Sequence, residues 1–479
     1  MTIDGKHFIN GNWAAGTEQS ITEVEPWAGK PIVEYQLPSD QQISSAVDSA
    51  SRAQVEWYAI GTEKRIQHLQ NFISVLEAKK DELSTIVAQE AGKPYWEAEQ
   101  EVGILPGKLD ASISAYKNRA QDILAPSQDP SIIVKTSFRP HGTCLVLGPY
   151  NFPLHMMNGQ VIPALLSGNS VIIKPSELGC ASAIQYVEAA DEAGLPRGVI
   201  QLLLGSADLG KQLVCSEGVG AVFFTGSASA GQSIRQKCAE RNVPCAIEAG
   251  GNSVLVVGDF DNVEKTSDII VNSAFWSAGQ RCNSARHLLI TQAAYERGII
   301  DALVSKVSNL RSANDITDST AFYGVMRRED DISRLADYTA KLTESADDVI
   351  FGTQISPMES IVPFIVRMPT QLPLEQEEQM GPVLQVRIVA DLQQAIEVAN
   401  SVELRLTAGL LSRSRDEYNE FSRMAEFGNI VWNCPTANAS GYASFGGRGD
   451  SGNSRPAGYL AIDFCVTPVS EFMVPDGTA

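Results

Sequence analysis

The order of elements in this 479-residue sequence predicts an α/β fold centred on a doubly wound parallel sheet. Short apolar runs alternate with helix-length amphipathic segments between residues 144 and 257, the same alternation returns between 252 and 445, and no repeat of solenoid or propeller length interrupts it. Apolar residues make up 44% and charged residues 20%, the usage of a compact globular chain.

The first ten residues carry Asp4, Lys6 and His7 and lack the uninterrupted apolar core of a signal peptide, which predicts a cytoplasmic protein. No stretch reaches the roughly 18 consecutive apolar residues of a membrane span. Residues 42–90 read as helices, with Ile66, Leu69, Phe72, Ile73 and Leu76 at three- and four-residue spacing. A second helix is predicted from Glu97 to Lys117. A Pro/Ser/Asp stretch, Ala125 to Ser131, precedes an alternating strand from Ile132 to Arg139, placed outside the helical background as an edge or pairing arm.

The runs Cys144–Leu147, Ser170–Ile173, Val199–Leu204, Ala221–Phe224, Cys245–Ile247 and Val254–Val257 follow, with helical patterns at Ala181–Ala193 and Ala228–Glu240. Strand, helix, strand in succession requires parallel pairing with right-handed crossovers. A second α/β domain follows from the runs His287–Ile290, Val383–Val389, Ala408–Leu411 and Asn429–Trp432, with helical patterns at Leu392–Ser401 and Asp416–Glu426. The tail from Tyr459 to Val474 alternates again and suits a strand paired with a neighbour or with the 132–139 arm.

Lys plus Arg number 37 against 57 Asp plus Glu, a net charge of −20 that opposes nucleic acid and anionic membranes as partners. An anionic ligand therefore needs a local basic pocket. The eight cysteines form no CxxC and the five histidines no HExxH, so no metal site is expected and the thiols suit a reducing compartment.

The strict pattern GxGxxG occurs once, at residues 447–452, but it follows no strand and opens no helix. It reads as a mobile loop rather than a phosphate cradle. Phe223-Phe224-Thr225-Gly226-Ser227 is a better place for a dinucleotide, because small residues at a strand-to-helix turn let a pyrophosphate approach the backbone; Ser227 serves equally as a plain helix cap. Lys174-Pro175-Ser176-Glu177 places an ammonium and a carboxylate beyond a strand, either for ribose hydroxyls or as a solvated turn.

Cys282 lies in a polar, Gly-containing turn beside Arg281, whose charge favours a thiolate, whereas Cys144 and Cys245 sit inside apolar runs. Glu248 ends a strand against Ala249-Gly250-Gly251-Asn252, where a carboxylate can act as base for a thiol or a water. Asn151, in Pro149-Tyr150-Asn151-Phe152-Pro153, offers an amide to a developing oxyanion or simply stands in a turn.

In chain order, Gly148–Pro153, Lys174–Glu177, Phe224–Ser227, Glu248–Asn252, Gly279–Cys282, Glu377–Val383 and Phe445–Gly447 together resemble the aldehyde dehydrogenase superfamily, and the likeness spans nearly the whole chain. The resemblance implies a Rossmann-like doubly wound dinucleotide-binding domain (residues 1–122 and 141–250), a second α/β catalytic domain (251–445) and a small β oligomerisation arm (123–140 and 459–479). It implies NAD, with NADP possible, as cofactor, a small acidic aldehyde as substrate and a homodimer or homotetramer.

By the same resemblance Cys282 is the nucleophile, Glu248 the base and Asn151, with the Cys282 amide, the oxyanion donor. Lys174, Ser176 and Glu177 fall on the adenosine ribose side, Gly226 and Ser227 on the pyrophosphate, and Tyr150, Glu378 and Met380 on the nicotinamide side. Glu177 tilts the expectation toward NAD by repelling a 2′-phosphate. The sequence departs from the family at Tyr150, Asn252 and Met380, which stand where Trp, Lys and Phe are usual.

Arg139–Gly142, Pro153–Leu166 and Ser451–Pro456 resemble a branch that oxidises an acidic semialdehyde in bacterial arginine catabolism, with Arg448 and Asp450 as departures. Arg281, Arg455 and Lys108 are the candidate cations for such a substrate. Two other readings are a CoA-acylating relative, which generally lacks the base that Glu248 supplies, and a dinucleotide-binding family member without turnover.

Overall fold

The computed structural model describes residues 2–353, 355, 362–455 and 457–474. Two seven-stranded sheets organise it. The strands of the first are β1 (His7–Ile9), β2 (Asn12–Ala14), β3 (Thr143–Leu147), β4 (Ser170–Lys174), β5 (Ile200–Leu202), β6 (Val219–Gly226) and β7 (Cys245–Ala249), in the spatial order β7-β6-β3-β4-β5-β1-β2. The strands from β7 to β5 run parallel, and the β1–β2 hairpin closes the far edge antiparallel. The chain winds from β3 through β5 in one direction and then returns to lay β6 and β7 on the other side. The reversal falls between β3 and β6, where a doubly wound sheet opens a crevice.

The second sheet contains β8 (Ser253–Val257), β9 (Ala285–Thr291), β10 (Asp348–Phe351), β11 (Phe364–Arg367), β12 (Val383–Val389), β13 (Thr407–Leu411) and β14 (Asn429–Trp432), ordered β10-β11-β12-β9-β8-β13-β14. Every residue of β3, β4, β8 and β9 is buried, as expected where helices cover both faces of a parallel sheet. Aliphatic strand residues such as Val146 and Ile173 join Phe72, Tyr186 and Phe223 in one core, and Leu255, Leu288 and Phe275 anchor the other.

The helical region is Asp40–Ala59, Thr62–Ala78 and Lys80–Ala91, the first closed by a capping box between Ser39 and Gln42. The single helix expected from Glu97 to Lys117 is instead two, Tyr95–Gly103 and Gly107–Arg119. Pro106 explains the break, since it disfavours helical backbone at Leu105 and supplies no N–H. Ile133–Pro140 pairs antiparallel with Ile123–Ala125 and with Val466–Met473. The predicted tail strand starts late, because residues 461–464 form a helical turn that seats Phe464 on Phe223 with ring centroids 4.7 Å apart. Residues 475–479, included in the expected arm, and Pro456 lie outside the described residues.

The glycine-rich segment 447–452 is held where a mobile loop was expected. It lies along the open edge of β7: Ala249 N–H donates to Ser451 O at 2.7 Å, Asn453 N–H donates to Ile247 O at 3.1 Å, and Glu248 and Gly452 form a bridge. The Asn453 side chain continues the ladder, its Oδ1 accepting from Ile247 N–H at 2.7 Å and its Nδ2 donating to Cys245 O at 3.1 Å. Gly452 is required by proximity, as a Cβ there would stand 2.3 Å from Ile247 O. We expect Asn453→Ala, which leaves two strand groups unpaired, to lower stability by about 1–3 kcal/mol and to speed amide exchange at Ile247. Unchanged unfolding and exchange refute this role for the side chain.

Candidate active site

The carboxyl ends of four neighbouring parallel strands, β4, β3, β6 and β7, present Lys174, Gly148–Asn151, Gly226–Ser227 and Glu248 to the same side of the first sheet. Sheet register alone gathers these residues, which are far apart in the chain. Lys174 is buried and its Nζ donates to Pro175 O at 2.6 Å, while Ser176 Oγ accepts from Leu178 N–H. Ser227 caps the helix Ala228–Glu240 by accepting from Ala230 N–H at 3.4 Å. Glu177 pairs with Arg328 at 3.0 Å, and that guanidinium also lies 5.7 Å from the centre of the Tyr150 ring.

Glu248 is fully buried, and among the described residues neither carboxylate oxygen has a hydrogen-bond partner. Desolvation raises its pKa to about 7, opposed by the positive charge of Lys108. The two glycines that follow it are structural necessities. Gly250, at φ +54°, faces Glu378, whose Oε2 would stand 2.1 Å from a Cβ at that position, and a Cβ on Gly251 would stand 2.3 Å from the Cys282 carbonyl oxygen. The end of β7 thus holds the Glu378 carboxylate on one glycine and the Cys282 backbone on the next. Glu378 is also pushed up to about 7 by burial, against Arg286 and the Gly251 N–H, and its Oε1 is buried without a partner.

The two raised carboxyl groups set a sign for stability against pH. Each retains its proton in the native state up to about pH 7 but ionises near the ordinary glutamate value of 4.5 when unfolded. Their stabilising contribution is complete below about pH 4.5 and is lost as the pH rises toward 7. Glu248→Gln is expected to flatten this decline, by at most about 3 kcal/mol, in urea titrations at pH 5 and 7.5. An identical slope in variant and parent contradicts the burial argument.

Cys282 follows an unusual turn: after the helix Val263–Phe275, Ser277, Ala278 and Gly279 all have positive φ, at 58°, 53° and 68°. Burial, then Glu248 and Glu378, push the thiol well above its ordinary pKa. Arg281 pulls in the opposite direction but is outweighed, which corrects the expectation of a thiolate fixed by its neighbour. The guanidinium is bound to Glu97 at 3.2 Å and to Ser277 Oγ, and lies 4.2 Å from the centre of the Trp276 ring system. Cys282 is nonetheless partly exposed, in a cavity of about 410 Å³ whose walls include Ile104, Phe152, Met156 and Phe445 with Lys108, His155 and Arg281.

Asn151 donates to Gln280 O at 2.9 Å, so one amide hydrogen is held by the cysteine turn. Arg455 does not line the cavity; its guanidinium donates to Gly447 O at 2.5 Å. Met380 meets Arg286 through its sulfur at 3.6 Å. Asn252, where the family usually has Lys, donates to the Glu375 carbonyl and so fastens β7's far end to the segment leading to Glu378.

Arg286 escaped the sequence reading. Fully buried at the start of β9, it donates to Gly279 O at 2.7 Å, Arg281 O at 3.2 Å and Gly381 O at 3.0 Å, tying the cysteine turn to the Glu378 segment. The available signal was an arginine inside the apolar run from Ala285 to Ile290. The Lys93–Glu101 ion pair, buried at 2.7 Å, was also missed; Glu101 accepts from Leu154 and His155 N–H at the start of helix His155–Leu166.

Comparison with known proteins agrees with this architecture. The aldehyde dehydrogenase family pattern matches residues 13–469. An N-succinylglutamate 5-semialdehyde dehydrogenase from Chromobacterium violaceum is 37% identical, over 97% of this chain and 95% of its own length. A putative methylmalonate-semialdehyde dehydrogenase from Sinorhizobium meliloti, solved with NAD, superposes with a TM-score of 0.92 at 23% identity, covering 100% of this chain and 99% of its own. An NADP-dependent glyceraldehyde-3-phosphate dehydrogenase from Bacillus halodurans, solved with NADP, gives 0.90 at 23%, covering 98% and 99%. The chain belongs to the aldehyde dehydrogenase family and is an NAD(P)-dependent oxidoreductase acting on aldehydes.

Proposed function

We propose that the chain oxidises N-succinylglutamate 5-semialdehyde to N-succinylglutamate, a step of arginine breakdown, through a covalent thioester on Cys282. The observation that carries the chemistry is the Glu248 carboxyl, sealed from bulk water, lacking any partner and joined through two glycines to the backbone of a cavity-facing cysteine. A buried acid group without partners costs stability and is retained where it moves protons.

Cys282 sulfur bonds to the aldehyde carbon as its proton leaves to cavity water, and the second Asn151 amide hydrogen with the Cys282 N–H holds the resulting oxyanion. A bound nicotinamide dinucleotide would supply the hydride acceptor needed for the Cys282 adduct to become a thioester. Glu248, ionised above about pH 7, then removes a proton from the water that releases the acid. The residues present fit that cofactor: the unpartnered Glu378 Oε1 suits the nicotinamide ribose, Lys174, Ser176 and Glu177 the adenosine ribose, and the Gly226–Ser227 turn the pyrophosphate, with Tyr150 and Met380 beside the nicotinamide. Arg328, paired with Glu177 at 3.0 Å, offsets that carboxylate's repulsion of a 2′-phosphate, so the site accommodates NAD or NADP. The exposed apolar residues Ile123, Leu124 and Phe472 on the three-stranded sheet suit pairing with another copy, and the likeness to bacterial semialdehyde dehydrogenases supports a cytoplasmic location.

The substrate reading is supported by the relatives' activity and by two cationic side chains, Lys108 and Arg281, in a mostly apolar cavity wall of a chain whose net charge is −20. Steady-state kinetics over aldehydes bearing no, one or two carboxylates test it. The doubly charged N-succinylglutamate 5-semialdehyde is expected to give the highest kcat/KM; a neutral aldehyde that equals it overturns the assignment.

A further inference from the structure

Resting on the acidic-semialdehyde reading, we propose that Lys108 is the residue that selects substrate, its ammonium receiving a carboxylate carried away from the aldehyde carbon. The cavity at Cys282 has two cations in its wall, Arg281 and Lys108. Arg281 is already neutralised by Glu97 and stacked on aromatic rings. Lys93, nearby over the Phe152 ring, is neutralised by Glu101. Lys108 is different: the residue is only 9% exposed, and its ammonium makes no hydrogen bond or ion pair among the described residues. Its one acidic influence is Glu248, at longer range than an ion pair.

The space for the ammonium is built in. A Cβ on Gly159 would stand 3.3 Å from Lys108 Nζ, so helix His155–Leu166 offers a notch rather than a side chain at that point. One helical turn earlier, His155 lines the same cavity with Nδ1 buried and unpartnered, and burial together with Lys108, Lys93 and Arg281 keeps the ring neutral. A cation and a neutral donor-acceptor ring, both unsatisfied and both facing one cavity, match a carboxylate's two oxygens. The surrounding apolar wall accepts the carbon chain between that carboxylate and the aldehyde.

The test compares ω-oxo acids with n-alkanals of matching length, and N-succinylglutamate 5-semialdehyde alongside, in the wild type and in Lys108→Met. The ratio of kcat/KM for charged over neutral substrate is the readout, because any effect of Lys108 on Glu248 acts on both members and cancels. The ratio is expected to fall about 10- to 100-fold in the variant. A wild type that prefers acids and a variant that prefers them equally overturn the role of Lys108 while leaving the substrate reading intact. A wild type without preference overturns both. A second measurement needs no turnover: glutarate should protect Cys282 from iodoacetamide in the wild type and lose that protection in Lys108→Met, and equal protection in the two proteins also overturns the proposal.

Discussion

Replacing Cys282 with Ala is expected to lower aldehyde oxidation by at least about 10⁴-fold while leaving the thermal midpoint and near-UV circular dichroism close to those of the parent. The site loses its covalent step because, among the described residues, no second thiol lines the cavity. The fold should tolerate the change: the thiol faces open space, the turn is held through its backbone by Arg286 and Gly251, and the carboxyl groups of Glu248 and Glu378 disfavour a sulfur anion beside them. A well-folded Ala variant with substantial turnover ends the case for a thioester route, and an unfolded one shows that the thiol is structural.

Glu248→Gln is expected to separate the two halves of the reaction. The amide keeps the shape of the side chain but cannot take a proton, so a single-turnover burst of NAD(P)H should persist while the steady-state rate falls about 10²- to 10⁴-fold. In the parent, rate should rise with pH through the carboxyl group's value of about 7, since only its ionised form is a base. That rising limb should vanish in the variant. Stopped-flow absorbance gives burst amplitude and steady rate in one trace. Loss of the burst itself assigns Glu248 to an earlier step than water activation.

The fold class was legible because parallel strands buried on both faces leave uninterrupted apolar runs, and such runs mark β3, β4, β8 and β9 almost to the residue. Pro106 is a boundary signal in the sequence, but the segments on either side of it both read as helix, so one element is expected where the structure has two. The glycine-rich 447–452 segment shows a different limit. Its pattern is real, but what demands Gly452 is the carbonyl of Ile247 on a strand some two hundred residues earlier.

The site divides in the same way. Residues following strands, such as Tyr150, Lys174 and Gly226, can be placed by topology, because sheet order alone puts them at one edge. Partnerships across the two sheets cannot: Glu177 with Arg328 and Arg281 with Glu97 depend on how the sheets face each other, and the Arg286 bond to Gly381 O depends on how a segment some 95 residues later packs on the cysteine turn. That is why Arg281 and Lys108 looked equivalent in the sequence and differ in space. One is ion-paired with Glu97, and the side chain of the other has no ion-pair partner among the described residues.

The backbone ladder between residues 451–453 and β7 has a consequence for biosynthesis. The ribosome delivers Glu248 when about half of the polypeptide exists, and the outer rim of its strand then waits, unsatisfied, for just over two hundred further residues to be translated. A nascent chain in that interval has an aggregation-prone border, and it gains its proton acceptor's final setting among the last steps of maturation.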